Sequence, residues 1–301
     1  MRGAALIALL ADLTAGEPPE RFHPTVWMGR WISGGRARRR SQSAAASFGE
    51  GAALLAGGIT ISAALAMAVD VAAGAAFGGF AGFARGVALK PALSLRPLLE
   101  AGRAVQSALE RGQLDDARRL LARHLVSRDT SALSAAEVAG AAIESVAENL
   151  NDSVVAPLLA FRVEGLAGAY AFRMINTADA MLGYRTPELE WFGKAAARTD
   201  DLAAFIPARV AALLICCTAP VAGGAAGRAA AAALRDATKT ASPNAGWPMA
   251  AMAGALGVRL TKGSHYELNA DGRDPAAADI GRSCRIVALS AVLAAALVDL
   301  V

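Results

Sequence analysis

The sequence predicts an all-α, polytopic membrane protein with an amphipathic helical insertion on the cytoplasmic side. Three observations predict it. Hydrophobic residues make up 55% of the 301-residue chain and charged residues 19%, against about 25% in an ordinary soluble domain. Mean hydropathy is +0.39, and alanine, a strong helix former, supplies much of the apolar count. No stretch alternates polar and apolar residues as a half-buried strand would.

The elements follow in order. "MRGAALIALLADL" reads as a retained first helix. Its apolar core is short for a secretory leader, it meets Asp12, and no small-x-small cleavage site is clear. Residues 51–84 hold one charge, Asp70, and are too long for a single crossing of about 20 residues. The prediction is two short helices joined near Gly74 or Gly78–Gly79. Arg36, Arg38, Arg39 and Arg40 precede this run, and Arg85, Lys90 and Arg96 follow it. A hairpin sets both groups on one side, the cytoplasm by the positive-inside bias, with Asp70 near the far turn. Residues 202–227, with Arg209 near the start, form a second span. The runs 153–172, 248–260 and 286–301 are shorter or interrupted, the first by Arg162 and Glu164, and suit buried, re-entrant or interfacial helices.

Between 90 and 138 apolar residues recur at helical spacing with charges on the other face. This predicts two amphipathic helices broken at Gly112, within an extramembrane segment over 89–138 of one integral membrane domain, 1–301. "SRDTSALSAAEV" then offers Ser and Thr caps for the next helix. Regions 36–47 and 261–279 read as polar loops.

Several function classes lose support. The net charge of +4 is too small and too scattered for nucleic-acid binding. Cys216, Cys217 and Cys284 are odd in number and lie in or beside apolar runs, which argues against a disulfide framework or zinc site. There is no GxxxxGK[ST] phosphate loop, no nucleophile elbow and no dinucleotide fingerprint.

One stretch stands out, "IESVAENLNDSVVAPL". Glu144, Glu148 and Asp152 recur every four residues, spanning about 80° of helix arc with Asn151 on the same face. Three carboxylates this close repel unless a cation neutralises them, and hard oxygen ligands suit Mg²⁺. An exposed acidic face is the bland alternative. The apolar flanks oppose it, and an ionisable residue beside membrane segments is a functional candidate. Next, "AYAFRMINTADAMLGYR" spaces Arg173, Asn176 and Asp179 by three. "FGKAAARTDDLAAFIPARV" brings Lys194, Arg198, Asp200 and Asp201 to the edge of a span. Arginine suits phosphate through paired hydrogen bonds, while ordinary juxtamembrane charge is the competing account. "DLTAGEPPERFHPTVWMGRWI" is a turn-rich loop with Asp12, His23 and Pro24, and a lone histidine there is more often structural. In "SPNAGWPMAAMAGALGV", helix capping by Ser242 and Asn244 outweighs ligand contact. His124 and His265 receive no role.

These stretches, together with "KPALSLRPLL" and "SRDTSAL", resemble the adenosylcobinamide-phosphate synthase family, integral membrane proteins of cobalamin biosynthesis. They run in that family's order over most of residues 12–260, and the final polar loop fits loosely through Tyr266, Gly272 and Asp279. Ser153 stands where the family usually has glycine after the acidic-helix Asp, and "GEPP" where "GDP" is usual. The resemblance implies an ATP- and Mg²⁺-dependent C–N ligase. It would join adenosylcobyric acid, the corrinoid substrate, to (R)-1-aminopropan-2-ol O-phosphate or ethanolamine phosphate. It implies a multi-pass protein of the inner or plasma membrane, its active site facing the cytoplasm, with the lipid bilayer and other membrane-bound corrin enzymes as partners. Under it Glu144, Glu148, Asp152 and Asp179 are the catalytic candidates. Glu144, Glu148, Asp152 and Asp200 are the Mg²⁺ ligands, with Asp201 beside them. Lys90, Arg96, Asn149, Arg173, Asn176, Arg185, Lys194 and Arg198 bind substrate and phosphate. Two other readings stay open: a transporter for a small anionic substrate, and a non-enzymatic membrane scaffold.

Overall fold

The computed structural model describes residues 3–40 and 43–300. In chain order the helices are α1 (Ala4–Ala15), α2 (Pro24–Ala37), α3 (Ala44–Phe77), α4 (Ala81–Leu89), α5 (Leu95–Glu110), α6 (Leu114–His124) and α7 (Ala135–Leu150). A π turn, Asn151–Val155, leads into α8 (Ala156–Leu182). Then come α9 (Lys194–Ala203), α10 (Phe205–Thr218), α11 (Ala226–Asp236), α12 (Gly246–Leu256) and α13 (Ala277–Leu300). An antiparallel ribbon, β1 (Leu260–Thr261) with β2 (Glu267–Leu268), precedes α13. Among the described residues four helical stretches are long and apolar enough to cross a membrane: Ala44–Ala92, Ala135–Leu182, Phe205–Ala222 and Ala277–Leu300. The protein is an all-α polytopic membrane protein. The sequence reads as one membrane domain; Cα proximity groups it into two compact units built from discontinuous segments.

The first unit comprises Met1–Ser94, Ala156–Ala204 and Ala295–Val301. Asp299, near the end of α13, accepts the N–H groups of Ala5 and Leu6 at 3.1 and 3.0 Å and so caps α1. Pro24 opens α2, and His23 Nδ1 accepts the Thr25 N–H at 3.3 Å. Residues 51–84 do not form two short helices. Helix α3 runs 34 residues, about 51 Å, straight through Gly74. The chain turns at Gly78, whose φ of 47° only glycine adopts at little cost. The returning α4 has nine residues, about 14 Å, so Lys90 does not climb back to the level of the Arg36–Arg40 group. Arg85 also leaves the expected basic set: its Nε donates to Asp70 Oδ1 at 2.5 Å. Asp70 does lie toward the far turn, seven residues before Phe77, and is neutralised there. Glu164 and Gly165 break α8 as the sequence suggested, Gly165 with φ 64° and ψ −151°, and the Asp70 carboxylate fills the space a side chain at 165 would need.

The second unit comprises Leu95–Val155 and Phe205–Ala294. The amphipathic reading of its first part holds: α5 buries Leu95, Leu98, Leu99, Gly102, Val105 and Ala108, and α6 buries Ala117 and Leu121. Gly112, at φ 71°, makes the break. The run 248–260 forms only the 11-residue α12, too short to span and buried at Pro248–Leu256. Ser242 Oγ accepts the N–H groups of Asn244 and Ala245 at 3.2 and 3.3 Å, forming a turn ahead of the helix. The N-cap itself is Ala245 without a side-chain cap, so the expected capping by Ser242 and Asn244 does not occur. Thr218 and Ser290 hydroxyls, 2.8 Å apart, join α10 to α13.

Region 261–279 is more ordered than a polar loop. Leu260 pairs with Leu268 and Thr261 with Glu267. Asp236, fully buried at the end of α11, anchors the ribbon by accepting the Asn269 N–H at 2.7 Å and pairs with Lys239 at 2.7 Å and Arg235 at 2.9 Å. Burial alone would raise this carboxyl, but donation from Arg235, Lys239 and Asn269 outweighs it and holds the group at about 2. A depressed folded-state pKa gives stability that is present above the unfolded value of 3.8 and lost as pH falls through about 2. About 2 kcal/mol should disappear over that window. Unfolding of the detergent-solubilised protein, followed from pH 5 to 2, should show this loss in the wild type and a smaller one in Asp236→Asn.

Candidate functional site

The candidate site is built on α7. Ser134 Oγ accepts the Glu137 N–H at 3.3 Å and Glu137 Oε2 accepts the Ser134 N–H at 2.8 Å, a capping box that fixes where the helix begins. From Val138 to Ala147 every residue is buried, so Glu144 has no solvent to charge into; it is 6% exposed. Its surroundings answer this in part. Tyr266, Arg128 and Lys262 all stand near enough to act on its charge. Glu144 Oε1 is buried with no hydrogen-bond partner among the described residues. Glu148, one turn on and half-buried, also acts on Tyr266. Burial, then the Glu144 and Glu148 carboxylates, push the Tyr266 phenol above its ordinary range, so it stays protonated with its O–H available to a neighbouring carboxylate.

Two loops bring these partners in. Ser145 Oγ donates to the Leu125 carbonyl at 2.7 Å, tying the 125–134 loop to α7. Thr130 Oγ1 donates to the Arg118 carbonyl at 2.9 Å, and Asp129 accepts the N–H and hydroxyl of Ser131 at 2.9 and 3.0 Å. These two bonds hold Asp129 below the usual carboxyl range. Arg128 is thereby placed by a knit loop. On the ribbon, the Lys262 N–H donates to the Tyr266 carbonyl at 3.1 Å and the His265 N–H to the Lys262 carbonyl at 2.9 Å. This turn carries both Lys262 and Tyr266. Beta strand β1 packs on α7 beside Gly140, where a Cβ would meet Pro275 at 3.3 Å and Leu260 at 3.8 Å.

The expected three-carboxylate cage does not form. Among the described residues no three His, Cys, Asp or Glu side chains gather as a metal site. The helix arithmetic that aligned Asp152 with Glu144 and Glu148 assumes 100° per residue, and the π turn at 151–155 winds more widely. Asn151 is buried there; its Nδ2 donates to Asp152 Oδ1 at 2.8 Å while its Oδ1 lacks a partner. Asn149 turns back into its own helix, Nδ2 donating to the Ser145 carbonyl at 2.9 Å. Arg96 pairs with Glu100 at 2.7 Å on the surface of α5.

The other expected residues lie in the first unit. Arg173, Asn176 and Asp179 sit on α8, which packs on α9. Asn176 Nδ2 lies 3.5 Å from Asp200 Oδ1, Asp179 lies against Gly183, and Arg198 reaches Asp201 at 4.0 Å. Burial raises Asp201, which Arg198 and Arg185 partly offset. Arg185 is exposed, and Lys194 pairs with Glu190 at 3.6 Å over the Trp191 ring. Lys90 is 5% exposed; its Nζ lies 2.8 Å from Glu17 Oε2 and 3.4 Å from Asp12 Oδ1. His23 Nε2 meets the same Glu17 oxygen at 2.8 Å. Because Nδ1 accepts from Thr25, Nε2 carries the proton it gives to Glu17. The charge of Lys90 is thus already matched by two carboxylates. Beside this network an apolar cavity of about 490 Å³ is lined by Trp27, Trp31, Ile61, Leu65, Tyr170 and Met174.

Sequence reasoning missed Arg128 and Lys262 as site residues and Glu17 as the partner of Lys90, and marked Tyr266 only as a match to the family, without a role. Arg128 and Glu17 stand inside stretches already singled out, so the motifs marked the segments and left the residues undistinguished.

The fold and this cluster define the class: a polytopic helical membrane protein with a buried carboxylate cluster against two polar loops. A family model described as "CobD/Cbib protein" matches residues 5–287, and the chain belongs to that family, which serves cobalamin biosynthesis. The cobalamin biosynthesis protein CobD of Geobacter metallireducens is 40% identical over 265 residues, covering 85% of this chain and 80% of that one. A probable CobD of Thermococcus kodakarensis is 40% identical over 282 residues, covering 93% and 89%. The Rhodobacter capsulatus CobD is 37% identical over 297 residues, covering 92% and 90%. No solved structure matches the chain.

Proposed function

We propose that the protein is an adenosylcobinamide-phosphate synthase, forming an amide between a propionate of adenosylcobyric acid and (R)-1-aminopropan-2-ol O-phosphate or ethanolamine phosphate. The observation that carries this reading is the buried Glu144, with one oxygen uncommitted, beside Glu148 on the same helix face of a chain in this family. A carboxylate is a poor electrophile because its charge is delocalised and its oxygen leaves badly. One carboxylate oxygen attacks the γ-phosphorus of ATP and ADP departs, giving an acyl phosphate. The amine then attacks the acyl carbon and phosphate leaves, carrying that oxygen. The amine arrives as an ammonium and must lose protons. Glu144 binds it by charge, and Glu148, open to the site, takes the proton. Holding amine and acyl carbon together supplies the rest.

Mg²⁺ usually takes one or two carboxylates, with waters and substrate phosphates completing its shell. Glu148 and Asp152 fit that smaller demand; the ion would neutralise phosphate charge there. Arg173, Arg185, Lys194 and Arg198 are assigned to phosphates in the first unit, and Asp179, Asp200 and Asp201 to orienting them. ATP use sets the site toward the cytoplasm. The test is mass spectrometry of products from purified protein, adenosylcobyric acid, amino-alcohol phosphate, ATP and Mg²⁺. The amide should form only with ATP. Uptake of labelled substrate into liposomes without amide formation would instead favour a transporter.

A further inference from the structure

We infer that Arg128 and Lys262 are the cations that hold the phosphate of the amine-bearing substrate, and that Tyr266 is a positioning residue fixing Glu144 beside them. This rests on the ligase reading and adds residues and a division of labour to it. The first support is which basic groups are committed. Around the ribbon, Arg259 pairs with Asp274 at 2.7 Å, Arg273 pairs with Asp279 at 2.7 Å, Arg282 reaches Asp279 at 3.3 Å, and Arg235 and Lys239 hold Asp236. The side chains of Arg128 and Lys262 make no hydrogen bond or ion pair among the described residues, though both act on Glu144.

The second support is the gap. Arg128 and Lys262 stand in electrostatic range of Glu144 without closing to ion-pair contact. Glu144 Oε1, in a residue 94% buried, has no partner either. The Glu144 carboxylate is buried while Arg128 and Lys262 are half-buried and stop short of it, so an interaction of opposite charges is left unmade. A ligand with an ammonium a few bonds from a phosphate monoester completes both halves: ammonium on Glu144 and Glu148, phosphate on Arg128 and Lys262. The third support is rigidity. The Leu125–Ser145 and Thr130–Arg118 bonds fix one loop, and the Lys262–Tyr266 turn fixes the other. The backbone that carries both cations is therefore tied down before the ligand arrives, while the side chains themselves stay uncommitted.

The test compares an amino-alcohol phosphate with the same amino alcohol lacking phosphate, in wild type, Arg128→Met and Lys262→Met. Each substitution should lower kcat/KM for the phosphorylated amine roughly ten- to a hundredfold, the loss of one charged hydrogen bond. The unphosphorylated amine should lose far less, and the corrinoid KM should not move. Calorimetric binding of amino-alcohol phosphate without corrinoid should weaken by the same factor and recover in part in Arg128→Lys. Tyr266→Phe should raise the KM for the phosphorylated and the unphosphorylated amine by the same factor and leave the preference for phosphate and the corrinoid KM unchanged, a split a purely structural residue would not produce. If amide forms and the preference for phosphate is unchanged in both methionine variants, this inference fails while the ligase reading stands. If no amide forms with either amine in the wild type, the ligase reading itself fails.

Discussion

Glu148→Gln is expected to lower kcat/KM for amide formation by about 10²- to 10⁴-fold, the range spanned by a positioned proton acceptor. Glutamine keeps the shape and a carbonyl acceptor and removes the charge and basicity. Glu148 is half-buried, so the variant should fold, insert and bind detergent as the wild type does. Glu144→Gln should lose activity to a similar degree through weaker ammonium binding, seen first in the KM for the amine. Product formation is measured at saturating corrinoid, with thermal unfolding as the folding control. Full activity in both variants would leave these carboxylates without chemistry and return the protein to a scaffold role.

Lys90→Met carries the largest expected loss of stability. Asp12 is fully buried and Lys90 is its cation at 3.4 Å, with Glu17 at 2.8 Å. Removing the ammonium takes the matching cation from Asp12, which is out of reach of water, and leaves Glu17 to His23. Breaking such a pair from one side costs about 3–5 kcal/mol. Glu17 shows how much charge compensation is present: burial pushes its carboxyl up, yet His23 and Lys90 bring it below its ordinary value. The expected result is a much lower unfolding temperature for Lys90→Met, and partial recovery in Asp12→Asn/Lys90→Met, since the double variant no longer buries the Asp12 charge without the Lys90 ammonium. Unchanged stability with lost amide formation would instead make Lys90 the phosphate ligand its sequence position first suggested.

What the sequence makes legible is local. The Gly112 break between α5 and α6, the Ser134 start of α7 and the Glu164 interruption of α8 each follow from a few neighbouring residues. Elements set by distant contacts are not legible. Gly74 and Gly78 read alike as turn candidates, and only the backbone φ of Gly78 separates them. The ribbon has two residues per strand, too few for alternation to register, and depends on Asp236 from another helix. The acidic stretch is visible because four-residue spacing is a local signal. Its partners are not, because Arg128 and Tyr266 lie 16 residues before and 122 after Glu144 and reach it through tertiary packing. The π turn at 151–155, which contains Asp152, is equally invisible to a rule that assumes a uniform helix.

The central claim is that a corrinoid carboxylate is activated by phosphorylation and captured by an amine on this protein. The most direct measurement uses adenosylcobyric acid labelled with ¹⁸O in its free propionate. Phosphate released during turnover by the purified protein should carry one ¹⁸O for each amide formed. Unlabelled phosphate alongside amide product, or no amide at all in the presence of ATP and Mg²⁺, would contradict it.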